Sequence, residues 1–354
     1  FEAVLIPMFI LIGIWGSRER KIHAAYQFFL YTLFGSLFML LAILVIYSSI
    51  KSLDFNILSS VKLMKTRQIV LWCAFFLSFA IKVPLVPFHL WLPEAHVEAP
   101  TAGSIILAGI LLKLGGYGFI RFSIPLFPFA SEFFLPLIYT ICIISIFYSS
   151  ITTIRQADLK KIIAYSSIGH MSFVVLGLFS CNLYGVMGAL VLMLGHAFVS
   201  SALFLLIGLL YDRYHTRLLI YYRSLSIVMP FFSIIFFFFS LANLSFPGTI
   251  NFLGEFLILI GVGNQNLSLV LIISIGIIFG VIYSMWLCTR LIFNSVMPIF
   301  FLTYSDLNRR EFYLFIPFII LTIWLGFFPQ SIIDFLEPSC KLSLQGIFEL
   351  ENNL

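Results

Sequence analysis

Apolar residues run along the chain in long blocks separated by short polar connections. The blocks cover residues 1–16, 26–50, 68–90, 101–124, 129–150, 159–180, 185–210, 224–263, 267–289 and 311–330. A helix of about 20 apolar residues crosses a ~30 Å hydrocarbon core. None of the blocks alternates in the two-residue rhythm of a barrel strand, and helices are then the way to satisfy a backbone in lipid. The pattern predicts an all-α fold: a polytopic membrane helix bundle of about ten transmembrane helices, one domain over residues 1–354. The first block makes a helix of only about 24 Å, so the chain is expected to begin inside a span whose upstream part is absent or supplied by a separate polypeptide. The eighth block is too long for one straight span and is interrupted at Ser245-Phe246-Pro247-Gly248.

Composition sharpens this picture. Of 354 residues, 61% are hydrophobic and only 10% charged, against roughly a quarter charged in a soluble domain. A water-soluble enzyme is excluded, and so is disorder, which needs low hydrophobicity. The net charge of +5 carries no dense basic run, so nucleic acid has no electrostatic footprint. Cys73, Cys142, Cys181, Cys288 and Cys340 form no CxxC pair. No iron–sulfur or zinc spacing follows from them, and they read as small apolar residues. Neither GxGxxG nor GxxxxGK[ST] occurs, so no bound nucleotide cofactor and no metal are expected in this chain.

Most basic residues fall in loops after odd-numbered blocks: Arg18, Arg20 and Lys21; Arg155, Lys160 and Lys161; Arg213, Arg217 and Arg223; Arg290, Arg309 and Arg310. This bias places those loops on the negative side of the membrane and both chain ends on the other. The loop 51–67, with Lys62 among its bases, runs against the trend. Asp158, just before Leu159-Lys160-Lys161, has the place of a helix N-cap.

Four charges fall at membrane depth: Glu2, Lys82, Lys113 and Glu255. Each costs about 2.5–3.5 kcal/mol on insertion scales, so four unrelated ones would cost on the order of 10 kcal/mol, as much as a whole fold's net stability. Pairing, water or function must offset that. A buried lysine shifts its proton affinity readily and can carry a proton reversibly. A static Glu–Lys pair that only holds helices together is the alternative. Lys82 is followed by Pro84 and Pro87, and Glu255 is preceded by Pro247 and Gly248. Proline frees helix carbonyls, and such breaks survive in lipid only where protein or a wet cavity meets them. Broken spans three and eight, five apart, suggest two five-helix repeats with an ion path between them. His170 and His196 lie in blocks six and seven, and His89 and His96 flank Pro93; all four are candidates for a supporting proton path. Gly115, Gly116 and Gly118 after Lys113 would let another helix approach closely.

These residues also carry a specific resemblance. Lys82-Val83-Pro84-Leu85-Val86-Pro87-Phe88-His89-Leu90-Trp91-Leu92-Pro93-Glu94-Ala95-His96-Val97-Glu98-Ala99-Pro100 resembles the broken-helix motif of the antiporter-like subunits of NADH:ubiquinone oxidoreductase, respiratory complex I. Leu111-Leu112-Lys113-Leu114-Gly115-Gly116-Tyr117-Gly118, Asp158-Leu159-Lys160-Lys161-Ile162-Ile163-Ala164-Tyr165-Ser166-Ser167, Phe1-Glu2-Ala3-Val4-Leu5-Ile6-Pro7-Met8 and Phe246-Pro247-Gly248-Thr249-Ile250-Asn251-Phe252-Leu253-Gly254-Glu255 are similar to further motifs of that family.

The resemblance implies an antiporter-like membrane domain with inverted five-helix repeats, here the family's helices five to fourteen. It implies proton translocation through Glu2 paired with Lys82, a central Lys113, and Glu255 at the far end, with His196 between. NADH, FMN, the iron–sulfur clusters and ubiquinone would belong to other subunits. The implied partners are other membrane-arm subunits, including neighbouring antiporter-like ones, and membrane lipids. The implied place is the mitochondrial inner membrane, multi-pass, with both chain ends on the intermembrane-space side. A subunit of a multisubunit cation/proton antiporter is the competing reading, and a purely structural bundle a third.

Overall fold

The computed structural model describes residues 1–61, 63–293 and 304–351. Lys62, one of the bases of the 51–67 loop, lies outside the described residues. Apart from an isolated bridge between Asp158 and Leu218, the regular structure among the described residues is helical. The main elements are α1 (Leu5–Trp15), α2 (Lys21–Ile50), α3 (Lys65–Lys82), α4 (Trp91–Glu98), α5 (Thr101–Leu126) and α6 (Leu135–Arg155). They continue with α7 (Leu159–Phe179), α8 (Leu183–Tyr214), α9 (Pro230–Asn243), α10 (Ile250–Gln265), α11 (Leu267–Leu291), α12 (Arg309–Phe327) and α13 (Gln330–Glu351). Seven of the described helices, α2, α5, α6, α7, α8, α11 and α12, are long and apolar enough to cross a membrane; α1, α9 and α10 are shorter apolar helices.

The third block forms most of α3 and the break at residues 83–90, with α4 just beyond it, and the eighth forms α9 and α10 with a break at 244–249. Pro84 and Pro87 lie in the first break. Pro247 and Gly248 lie in the second, where Gly248 has a φ of +96°, a conformation that suits glycine. Both breaks are closed in the same way. The Trp91 indole N–H, at the start of α4, donates across the gap to the Ile81 carbonyl at 2.9 Å. The Asn251 amide, at the start of α10, donates to the Ala242 carbonyl at 3.0 Å. In addition, the Val86 N–H donates to Ser145 Oγ of α6 at 3.0 Å. Backbone groups at the breaks thus find protein partners where lipid offers none. Broken spans three and eight sit at the offset that inverted five-helix repeats require.

Two boundaries differ from the block pattern. The block 129–150 yields α6 only from Leu135, because Pro128 and Pro136 each start a new helix and Pro128–Phe133 folds as a separate short one. The tail beyond residue 330, outside the ten apolar blocks, forms α13. Ile333, Leu336, Cys340 and Leu344 recur at three- and four-residue steps and pack into the main core, the signature of an amphipathic helix.

The loops after odd-numbered spans meet at one end of the bundle. There the Ser17 and Arg18 N–H groups donate to the carbonyl and carboxylate of Glu98, and the Leu159 N–H donates to the Arg217 carbonyl. At the opposite end Asn182 of the α7–α8 turn bonds Gly261 of α10. Of the seven long helices, α7 and α8 are the most enclosed, and the candidate site is built on their facing sides.

Candidate functional site

Lys113 follows a widened π-helical turn, Leu107–Leu111, in α5. Such turns leave backbone carbonyls free and recur at functional sites. The Lys113 ammonium donates to the Ala108 carbonyl of that turn at 2.6 Å and lies 2.7 Å from His196 Nδ1 of α8. From His196 the row continues. Its ring centroid is 5.7 Å from that of His170 in α7, tilted by 50°. His170 Nδ1 in turn is 3.1 Å from Glu255 Oε1 of α10. His196, His170 and Glu255 are buried. Each histidine thus turns Nδ1 toward an ionisable neighbour, and among the described residues neither Nε2 has a protein partner.

Beside Glu255 is a cavity of about 30 Å³ lined by Ser149 and Ser150 of α6, Ser166 of α7, Asn243 of α9 and Tyr283 of α11. About 10–15 Å³ suffices for one water, and the polar lining offers it partners. The Tyr283 side chain faces Glu255, Ser166 and Asn243.

Lys82 is the last residue of α3 and is buried. Its ammonium is 3.9 Å from the Glu2 carboxylate and 4.7 Å above the Phe1 ring. Gly115 explains how α5 approaches so closely: a Cβ there would lie 3.1 Å from Lys82 Cβ and would overlap Val83. Gly116 sits against Met193 of α8 in the same manner, and Gly118 against the Phe79 ring. Lys113 is two residues from Gly115, about 200° round the helix. One face of α5 therefore receives Lys82, and the other presents Lys113 to α8.

The structure thus brings Glu2 and Lys82 together, and joins Lys113, His196, His170 and Glu255 in one row. His89 and His96 stand apart from it: among the described residues, no side-chain hydrogen bond or ion pair ties either into the row. His89 precedes α4 and packs edge-on against Tyr148 at 5.0 Å. His96, within α4, stacks on Phe204 of α8 at 4.3 Å. Pro93 lies in the first turn of α4 without interrupting it, where its missing N–H costs nothing. Among the described residues, no group of three or more His, Cys, Asp or Glu side chains is placed to hold a metal ion.

Sequence reasoning missed Asn251, Asn243 and Tyr283, polar residues in apolar blocks that carried no charge to draw the eye. It also missed a buried ionic cluster at the end where the odd-numbered loops meet. Arg217 is fully buried there. It donates to the Val97 carbonyl and lies 3.9 Å from the carboxylates of both Glu98 and Asp158. Burial pushes its guanidinium below its ordinary pKa, and Asp158 opposes that shift more than Glu98 does. Asp158 also caps α7, accepting from the Lys160 N–H at 3.1 Å, as its position before Leu159 predicts. The Lys160 ammonium donates to the Ala99 carbonyl at 2.8 Å.

The chain and its fold have counterparts among known proteins. Residues 1–280 match the profile of the NADH:quinone oxidoreductase/Mrp antiporter transmembrane family. The chain is 59% identical over 345 residues to NADH-ubiquinone oxidoreductase chain 4 of Marchantia polymorpha, covering 98% of this chain and 70% of that one. A chain of respiratory complex I from Thermus thermophilus with bound NADH superposes with a TM-score of 0.91 at 30% identity, covering 98% of this chain and 73% of its own. A chain of the Mrp complex from Dietzia sp. shares the fold, with a TM-score of 0.84 at 17% identity over 98% of this chain and 74% of its own.

Proposed function

Because the chain belongs to the NADH:quinone oxidoreductase/Mrp antiporter transmembrane family, we propose that it is a proton-translocating membrane-arm subunit of NADH:ubiquinone oxidoreductase, respiratory complex I, in the mitochondrial inner membrane. The observation that carries this reading is the row Lys113–His196–His170–Glu255, with contacts of 2.7 Å and 3.1 Å at its two ends. A structural bundle has no need of such a row.

Lys113 holds a proton between the Ala108 carbonyl and His196 Nδ1. When that proton moves to His196 Nδ1, the imidazole can release its other proton from Nε2 toward His170. His170 passes a proton from Nδ1 to the Glu255 carboxylate, which faces the cavity lined by serines and Tyr283. The driver is electrostatic. Opening the Glu2–Lys82 pair changes the charge on the far face of α5. A unit charge within about 10 Å acts on a neighbour with on the order of 2 kcal/mol at an effective dielectric of ~20. That is enough to change Lys113 occupancy more than tenfold. Electron transfer supplies the trigger through other subunits, which hold NADH, FMN, the iron–sulfur clusters and ubiquinone. The neighbours of this chain are then other membrane-arm subunits, antiporter-like ones among them. The Arg-rich loop end faces the matrix.

The test is Lys113→Met in the assembled complex, with NADH oxidation and proton uptake measured together. Loss of pumping in an intact complex is expected. Undiminished pumping there would overturn the reading. The family's own description also covers cation/proton antiporters. Purification separates the two: flavin and iron–sulfur subunits in the same particle as this chain are expected for the oxidoreductase, and their absence from an active antiporter particle would favour the alternative.

A further inference from the structure

Glu255 has different surroundings toward the two ends of the bundle. Toward the Arg217 end lies the cavity lined by Ser149, Ser150, Ser166 and Tyr283. One helical turn beyond Ser150 and Tyr283, Ile154 of α6 and Trp286 of α11 already line an open cleft of about 910 Å³, which also holds Arg155, Arg223 and Arg290. Toward the opposite end α10 runs ten residues, about 15 Å, from Glu255 to Gln265. Along that stretch Ile258 and Val262 of α10, Leu178 of α7 and Ala189 of α8 are buried in the main core. There α10 lies so close to α8 that a Cβ on Gly188 would overlap Ile258, and one on Gly261 would overlap Gly185. A contact packed to that density leaves no room for water. A proton on Glu255 therefore meets hydroxyls on one side and a dry, tight contact on the other.

The dry stretch ends at a latch. Gln265, itself exposed, donates from Nε2 to the Ser180 carbonyl of the α7–α8 turn at 2.5 Å. Its Oε1 accepts from the Tyr139 hydroxyl of α6. One side chain of α10 thus ties together three elements at this end. The turn it holds keeps Cys181 at a φ of +53°, a left-handed conformation unfavourable to a residue with a side chain.

We propose that Gln265 is a gating residue on the release side of Glu255. While it ties α10 to Ser180 and Tyr139, a proton on Glu255 exchanges with the hydroxyl cavity alone. When those hydrogen bonds open, α10 parts from the α7–α8 turn and water enters the gap. The carboxyl O–H of Glu255 then breaks to that water, leaving the carboxylate behind and a hydronium ion on the far side. Hydrogen bonds from an exposed side chain are readily replaced by water, and strain in the turn favours its release. The inference rests on the proton row, because a gate matters only if Glu255 carries the translocated proton.

The purified intact complex in vesicles with entrapped pyranine tests it, under an imposed pH step and without NADH. Gln265→Ala is expected to raise passive proton entry about fivefold, the effect of one exposed hydrogen bond on an opening equilibrium. Tyr139→Phe keeps the ring and removes one bond of the latch, and is expected to raise entry less. Adding Glu255→Gln to Gln265→Ala is expected to return entry to the native level. With NADH, the Gln265→Ala complex is expected to move fewer protons per NADH oxidised. Native proton entry in both single variants would overturn the proposal. So would a leak that survives Glu255→Gln, which would mark Gln265 as a packing residue. Lys113→Met in the same vesicles separates the two readings. Lost pumping there beside an unaltered Gln265→Ala complex sinks the gate alone, and undiminished pumping sinks the row. If Gln265→Ala does not assemble, Tyr139→Phe with and without Glu255→Gln decides the matter.

Discussion

At the scale of single residues the site is a sequence of short contacts between groups that can hold or lose a proton. His196 is the critical one, because it touches Lys113 directly at 2.7 Å and faces His170 across 5.7 Å. A His196→Gln variant keeps a hydrogen-bonding side chain beside Lys113 but removes a group that exchanges protons near neutral pH. Proton-coupled turnover is expected to fall by on the order of 100-fold, measured as dye quenching in vesicles against NADH oxidation by the same assembled complex. Equal coupling in the variant would show that protons bypass the row. Glu2, Lys82, Lys113 and Glu255 were legible in the sequence, since a charge inside an apolar block stands out and demands compensation. The direct link from Lys113 to His196, and from His170 to Glu255, was not. It depends on how α7, α8 and α10 are rotated against one another, and no spacing along the chain encodes that.

At the scale of elements, the two broken spans share one device: a side-chain N–H from the second half-helix caps a freed carbonyl of the first. At Ile81, removing the donor leaves a buried carbonyl unsatisfied, at a cost of about 1–3 kcal/mol; the Ala242 carbonyl also accepts from the Ser245 N–H, so loss of Asn251 costs less. Trp91→Phe and Asn251→Leu should each lower the thermal stability of the complex, read as the midpoint for loss of this subunit on native gels. A midpoint unmoved by Trp91→Phe would mean that water, not the indole, satisfies Ile81. Gly115→Val places bulk against Lys82 and Val83 and is expected to separate α3 from α5. The prolines and Gly248 announced the breaks, because their backbone chemistry is local. The caps were hidden, because they join residues 9 and 10 positions apart across a turn. The helix α13 lies beyond the last long apolar block, and its three-and-four apolar spacing shows only once Cys340 and Leu344 are seen in the core.

At the scale of the whole molecule, charge organises the two ends differently. Arg217 ties the α8–α9 connection to the end of α4 and the cap of α7, fully out of water. Arg217→Met would leave Glu98 and Asp158 without that cation, at about 3–5 kcal/mol; reduced assembly of the complex is the expected result, measured by the amount of subunit retained after mild detergent. The same end carries Arg155, Arg223 and Arg290, and its proposed matrix orientation can be tested directly. A Glu19→Cys variant, in the exposed connection between α1 and α2 at this end, should react with a membrane-impermeant thiol reagent only from the matrix side. Reaction from the intermembrane-space side would reverse the topology.

Taken alone, the amino-acid order determined that this protein lives in a membrane, where its spans run, which two of them break, and which charges lie at depth. Each of these follows from local free energies: a span satisfies its own backbone, and a charge in hydrocarbon costs much the same wherever its neighbours are. Only the tertiary structure decided which of those charges meet, that two histidines link them, and that three arginines from two distant helix ends and a turn line one cleft. Lateral packing of helices in lipid rests on small-residue contacts and scattered polar pairs, and these leave no periodic trace along the chain.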